Sequence, residues 1–324
     1  MNLTENNNLS STSNSSKEKL LLVQVPVGIL LCVNGLMIFT FLKKETFRET
    51  RYVLFAQTLF VDSTLMVLTD LTLVGSSNKY PVHIIPCYIL CTLLSLFAIS
   101  SPMTLLAMCL ERYVAICMPL RHASISTPKN TFIGLLVIWS FSFVIPLFIF
   151  IVSFVYIPPD VLYLYVVCTL EVMLQKKWLA DMRVTSLQLL FIIMFCVIVS
   201  TYIKIMLAAR SASSERKNST NKCLKTIILH GVQLLLCMMQ LLMPYIEMPL
   251  WKVDVIVFVN VRYTNFILFL ILPRCLSPLI YGLRDKKFYD ALKCYTFCGI
   301  LVYNKNKTGD DKTFRGVVST SIHN

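Results

Sequence analysis

Leu110-Glu111-Arg112-Tyr113-Val114-Ala115-Ile116-Cys117-Met118-Pro119-Leu120-Arg121-His122 sets a carboxylate beside a guanidinium at one end of a long apolar run. Ionisable residues at a membrane boundary are costly enough to mark function by default. The plainer alternative is a helix end that lifts its charges into the headgroups. Which role applies depends on which helix carries the stretch and which way it points.

Working outward, the apolar run before Glu111 covers 84–110, and six more runs of similar character lie at 20–42, 52–74, 131–155, 184–209, 223–248 and 255–281. A bilayer core of about 30 Å needs about 20 such residues at helical rise. Barrel strands would be shorter and alternating, so helices are the spanning solution. Composition agrees. The chain has 324 residues, 56% of them hydrophobic and only 15% charged, where a soluble domain carries about a quarter charged residues. Seven spans are predicted, although Asp181, Arg183, Lys225 and His230 blur the ends of the fifth and sixth.

Basic residues orient the bundle. With the N-terminus outside, 21 of the 30 Lys and Arg fall in inner segments, and 7 in outer ones. The positive-inside rule therefore puts residues 1–19 outside and the Glu111 stretch inside. The net charge of +13 then reflects topology and attraction to anionic membrane lipids. Basic residues divided among loops on one face do not make a nucleic-acid surface. The outer tail, 1–19, holds acceptor sequons at Asn2, Asn8 and Asn14, which suit glycosylation. With no cleavage site before it, the first span reads as an uncleaved signal-anchor.

Most of the twelve cysteines lie within spans as small apolar side chains. Cys87, at the outer end of the third span, and Cys168, in the second outer loop, face an oxidising exterior and are expected to bridge. Cys91, one turn inward of Cys87, competes for the same partner.

Seven helices, an outer cysteine at 87 and Glu111-Arg112-Tyr113 at the inner end of the same span resemble the rhodopsin-like (class A) G-protein-coupled receptors. The stretch through His122 is similar to the odorant receptor family. Ser200-Thr-Tyr202-Ile, Lys222-Cys-Leu-Lys-Thr and Ser277-Pro-Leu-Ile-Tyr281 agree with it. Phe47-Arg-Glu-Thr50, Ala208-Ala-Arg-Ser-Ala212 and Pro273 through Asp285 are similar to odorant-receptor-like proteins of bony fish. The resemblance covers roughly residues 20–295.

It implies an all-α membrane protein: a seven-transmembrane helix bundle over 20–283, a short amphipathic eighth helix on the inner surface at 284–298, and a cytoplasmic tail at 299–324. It implies a switch in which Glu111 holds Arg112 at rest, with Tyr113 beside them. Activation swings the sixth helix outward, and Tyr202 and Tyr281 rearrange with it. Charges at a helix end change partners when a neighbouring helix moves, which makes a bistable element a ligand can bias. By family geometry the ligand pocket draws on Leu94, Ser95, Ala98 and Ile99 from the third span and Ser186 and Leu190 from the fifth. Gln240, Leu241 and Tyr245 come from the sixth, Tyr263 and Ile267 from the seventh. This lining is mostly apolar and suits a small, largely apolar molecule. Glu247 and Arg262, near the outer ends, either steer charged ligands or pair with each other. Cys294 and Cys298 are palmitoylation candidates.

Two departures from the family pattern stand out. Ser277 replaces the usual asparagine before Pro278, and Arg274 lies one turn deeper. Asp62 matches the aspartate that binds sodium in many relatives, with Ser101 matching its serine partner. An arginine at that depth needs a partner, so an Asp62–Arg274 ion pair is expected, with the guanidinium in place of the ion.

The expected function is that of an odorant receptor at the plasma membrane of olfactory neurons. It takes a small-molecule odorant outside and a heterotrimeric G protein inside, with arrestin and a receptor kinase as further partners. A receptor for a lipid or peptide is the alternative within the class. A transporter or channel would show internal repeats and broken glycine-rich helices, and this chain has 9 glycines. No metal-ligand cluster, cofactor motif or nucleophile–base pair suggests an enzyme.

Overall fold

The structure is a computed structural model that describes residues 23–41, 50–174, 176–211, 228, 231–240, 242–243, 246–247, 250 and 255–277. Asn2, Asn8, Asn14, Leu241, Tyr245, Tyr281, Cys294 and Cys298 lie outside the described residues. So do the outer tail 1–19, the surface helix 284–298 and the tail 299–324.

Five described helices are long and apolar enough to cross a membrane: α1 (Val23–Phe41), α2 (Thr50–Ser77), α3 (Ile84–Cys117), α5 (Pro128–Val155) and the bulk of α7 (Lys177–Ser211). The sixth expected span is represented by α8 (Gly231–Gln240). The seventh is represented by α9 (Val255–Asn265), a π-helical turn at Phe266–Ile271, and helix from 272 to 277. Two short inner and outer helices, α4 (Pro119–Ile125) and α6 (Leu170–Met173), complete the set.

Burial places α3 at the centre. In its most apolar stretch 56% of residues are buried inside the protein, against 22% for α5. Accordingly α5 turns Phe132, Phe141, Val144 and Ile151 outward, as a helix facing lipid must. One core joins Val27 and Leu30 of α1, Leu65 and Met66 of α2, Phe97 of α3 and Leu270 and Ile271 of the π turn. A second, outer core joins Ile84, Tyr88 and Cys91 of α3 to Ile149 of α5 and Leu179 of α7.

Local chemistry sets the ends. α2 stops where Lys79 takes a left-handed φ of 54° and Tyr80 N–H donates back to Gly75 O, a helix-ending turn that satisfies a spare carbonyl. α5 starts with Pro128 in its first turn, and the Thr127 side chain accepts from Asn130 N–H. Past α2, β1 (Pro81–His83) pairs antiparallel with β2 (Tyr165–Val167), Pro81 opposite Val167 and His83 opposite Tyr165. This ribbon lays the second outer loop across the start of α3, where Ile84 N–H donates to Leu164 O.

The helices run beyond the apolar stretches. α7 begins at Lys177 rather than 184, and α3 continues to Cys117. Glu111-Arg112-Tyr113 therefore sits inside the helix rather than at its end. Hydropathy records where the chain meets lipid, whereas the backbone goes on satisfying its own hydrogen bonds into the headgroups and loops.

The π turn has a local cause. Pro273 lacks an N–H, and its ring would press on the carbonyl four residues earlier in a regular α-helix. Leu272 N–H instead donates five residues back, to Ile267 O, which widens the turn ahead of the proline.

Candidate functional site

Three stations lie along α3. The outer one is a cavity of about 410 Å³ walled by Thr69, Thr72 and Ser76 of α2, Cys91 and Leu94 of α3, and Tyr263 and Phe266 of the seventh span. Cys168, Thr169 and Leu170 of the outer loop close it, and the exposed Arg262 stands at its lip. Of the residues expected to line a pocket, Leu94 and Tyr263 are on its wall. Ser95, Ala98, Ile99, Ser186, Leu190, Gln240 and Ile267 are not, and Ala98 packs on the inner core instead. The cavity thus leans toward α2 and the seventh span. The hydroxyls of Thr69 and Thr72 already donate to backbone carbonyls of their own helix, so they offer a guest only weak acceptor sites. Glu247 accepts from the Asn265 side-chain amide at 3.0 Å.

A disulfide joins Cys87 to Cys168, with Cα atoms 5.4 Å apart. The Cys91 thiol lies beside it, outside the bridge.

The middle station is an ion pair buried from solvent. Arg274 Nε lies 3.3 Å from Asp62 Oδ1, and the two side chains are 0% and 2% exposed. Ser101 Oγ donates to the same Asp62 oxygen at 2.7 Å. The remaining guanidinium nitrogens donate to Gln240 Oε1, at 3.2 and 3.3 Å, and to Leu270 O. Close by, Gln233 of α8 donates to Ser277. One arginine thereby fastens together α2, α3, α8 and the seventh span. Such a pair is tolerable in a low-dielectric interior only because nearly every polar atom of it is met. Gln240, expected at a ligand, accepts from the arginine through its side-chain oxygen. Its position alone, one span away in sequence, gave no sign of that pairing.

The inner station surrounds Glu111. Its Oε2 lies 3.6 Å from Arg112 Nε, and its Oε1 lies 3.4 Å from His122 Nε2 on α4. The His122 contact was not anticipated. The signal was in the opening stretch: Pro119 begins a new helix just after Cys117, which brings His122 back to the carboxylate. Tyr113 lies under Lys204 of α7, whose Nζ is 5.7 Å from the ring centroid, a cation–π distance. Tyr202 of α7 hydrogen-bonds Cys109 of α3. Its ring also packs on Gly231 of α8 so closely that an added Cβ would lie 3.2 Å from it.

Comparison with known proteins supplies the remaining finding. The family described as 7 transmembrane receptor (rhodopsin family) matches residues 33–281. Among characterised sequences, odorant receptor 131-2 of Danio rerio is similar along its whole length, 66% identical over 325 residues and covering 100% of both chains.

Proposed function

Because the chain belongs to the rhodopsin family of seven-transmembrane receptors, we propose that it is an odorant receptor, a multi-pass protein of the plasma membrane. A small, largely apolar molecule binds near the outer ends of the helices, and a heterotrimeric G protein is engaged at the inner end. In this reading the N-terminus is extracellular, the cell is an olfactory neuron, and arrestin and a receptor kinase act after activation. The observation that carries the reading is the continuity of α3. One unbroken helix runs from Cys91 and Leu94 at the cavity wall, past Ser101 at the ion pair, to Glu111 and Arg112. A ligand that favours one arrangement of the helices around α3 shifts the population of the inner one.

In the switch, Glu111 holds Arg112 at rest, while Tyr202 and Gly231 form the hinge contact between α7 and α8. Outward movement of α8 separates that contact and releases Arg112 toward the G protein.

Asp62 and Ser101 do not fit a sodium ion here. The Asp62 oxygen that would face it already takes Ser101 and the Arg274 cation, and a second cation would be repelled at short range in low dielectric. The guanidinium fills that role, so agonist affinity is expected to be indifferent to sodium. A strong sodium effect that disappears in Asp62→Asn overturns this assignment.

The function is tested by a cAMP or calcium assay in cells expressing the receptor, screened with odorant mixtures. The expected result is a response from the wild type that is lost in Arg112→Ala at equal surface expression. A response that survives Arg112→Ala contradicts the switch.

A further inference from the structure

Cys168 has two cysteines within reach. It is bonded to Cys87, yet the thiol of Cys91 lies 4.0 Å from its sulfur, and all three sulfurs fall within 4.8 Å of one another. Cys91 sits four residues after Cys87 on α3, so their side chains leave the helix on one face, about 6 Å apart along it. The Cys91 thiol also donates to Thr169 O at 3.6 Å, which holds it against the loop at the very residue following Cys168. The cluster is shielded: Cys87, Cys91 and Cys168 are 0%, 1% and 7% exposed. A thiol from solvent reaches this bridge poorly, whereas Cys91 is a nucleophile already in place.

We propose that Cys91 is an alternative disulfide site, and that the bridge holding the second outer loop exchanges between Cys87 and Cys91. The Cys91 thiolate attacks Cys168 Sγ, the Cys87–Cys168 bond breaks as the Cys91–Cys168 bond forms, and Cys87 leaves as a thiolate. The proton given up by Cys91 ends on Cys87. No oxidant or reductant is consumed. The exchange moves the loop's anchor one turn inward along α3. Cys91, Cys168 and Thr169 all belong to the wall of the outer cavity, so the two bridged forms enclose different pockets. Uncatalysed disulfide rearrangement takes minutes to hours, which makes the two forms separable species rather than a rapid average.

Chymotryptic mapping without reduction distinguishes them, because cleavage after Tyr88 and Leu90 parts Cys87 from Cys91. The full-length receptor in membranes is incubated overnight at about pH 8.5, near an ordinary thiol pKa, then quenched with acid and N-ethylmaleimide, denatured and digested. Two linked peptides are expected from the wild type, Cys87–Cys168 and Cys91–Cys168, the second increasing with incubation. Cys87→Ala is expected to retain a bridge, now entirely Cys91–Cys168, and Cys91→Ala to hold only Cys87–Cys168. The proposal is overturned if incubated wild type yields only Cys87–Cys168 with Cys91 alkylated, or if Cys168 is alkylated in Cys87→Ala. It is equally overturned if Cys168 pairs as often with Cys32, Cys109 or Cys237, since that is indiscriminate scrambling.

Discussion

Arg274 shows what a single residue does when it is placed where water cannot follow. A guanidinium carries five donors in a fixed fork; here the terminal nitrogens donate to an amide oxygen and a backbone carbonyl, while Nε faces the Asp62 carboxylate as an ion pair without a hydrogen bond. Breaking a buried pair by removing one member leaves an uncompensated charge, worth about 3–5 kcal/mol. Arg274→Gln and Asp62→Asn are each expected to lower thermal stability in detergent by that order, and the double substitution by clearly less than the sum. Strict additivity in the double-mutant cycle contradicts the pairing. The pair was legible in the sequence because an arginine that deep demands an acid, and Asp62 is the acid at matching depth. Its third partner, Gln240, was not legible, since an amide in an apolar helix serves a ligand, a neighbour or nothing equally well. At Glu111 the second oxygen belongs to His122, 36% exposed, so this contact is weak, about 0–1 kcal/mol. His122→Phe should raise basal signalling by roughly fivefold or less, measured as ligand-free cAMP normalised to surface expression, and Glu111→Gln by more. A fall in basal signal with His122→Phe indicates that the histidine draws Glu111 away from Arg112.

Among the elements, α3 is the organising one and α8 the one that must move. Their relation runs through Tyr202, which hydrogen-bonds α3 at Cys109 and packs on α8 at Gly231. Glycine at 231 suits the contact, because a methyl group there would lie 3.2 Å from the Tyr202 ring. Gly231→Ala asks the ring to give by a few tenths of an ångström, whereas Gly231→Val cannot fit beside it. The expected outcome is a graded series: near-normal signalling for Ala, and for Val a changed ratio of basal to agonist-evoked cAMP with surface expression kept. Equal responses from all three chains mean the contact does not gate the movement. Periodicity and run length gave these elements to within several residues. What they missed was non-periodic: the β1–β2 ribbon, the inner helix α4 and the π turn. Each depends on a proline or a loop contact that hydropathy does not register. Pro81 opens β1, Pro119 opens α4 and Pro273 follows the π turn.

For the molecule as a whole, lipid and water divided the sequence before any contact was considered. The crowding of basic residues into inner segments predicts that an epitope tag before Met1 is stained on intact cells and one after Asn324 only after permeabilisation; the reverse pattern overturns the orientation. The bundle, the Cys87–Cys168 bridge and the Glu111–Arg112 pair at the far end of the same helix were written in the sequence. The position of the cavity was not. It follows from how the second outer loop is pinned over α2, α3 and the seventh span, and loop paths leave little trace in composition.

The ion pair also constrains how the chain is made. Asp62 belongs to the second span and Arg274 to the last, so most of the polypeptide is synthesised while the aspartate waits for its counter-ion. Until the final span enters, a carboxylate is stranded in the membrane; until it docks, so is a guanidinium. Biogenesis of this receptor is therefore expected to include a late step, at which the seventh span neutralises the second. A chain halted before Arg274 leaves Asp62 without its counter-ion.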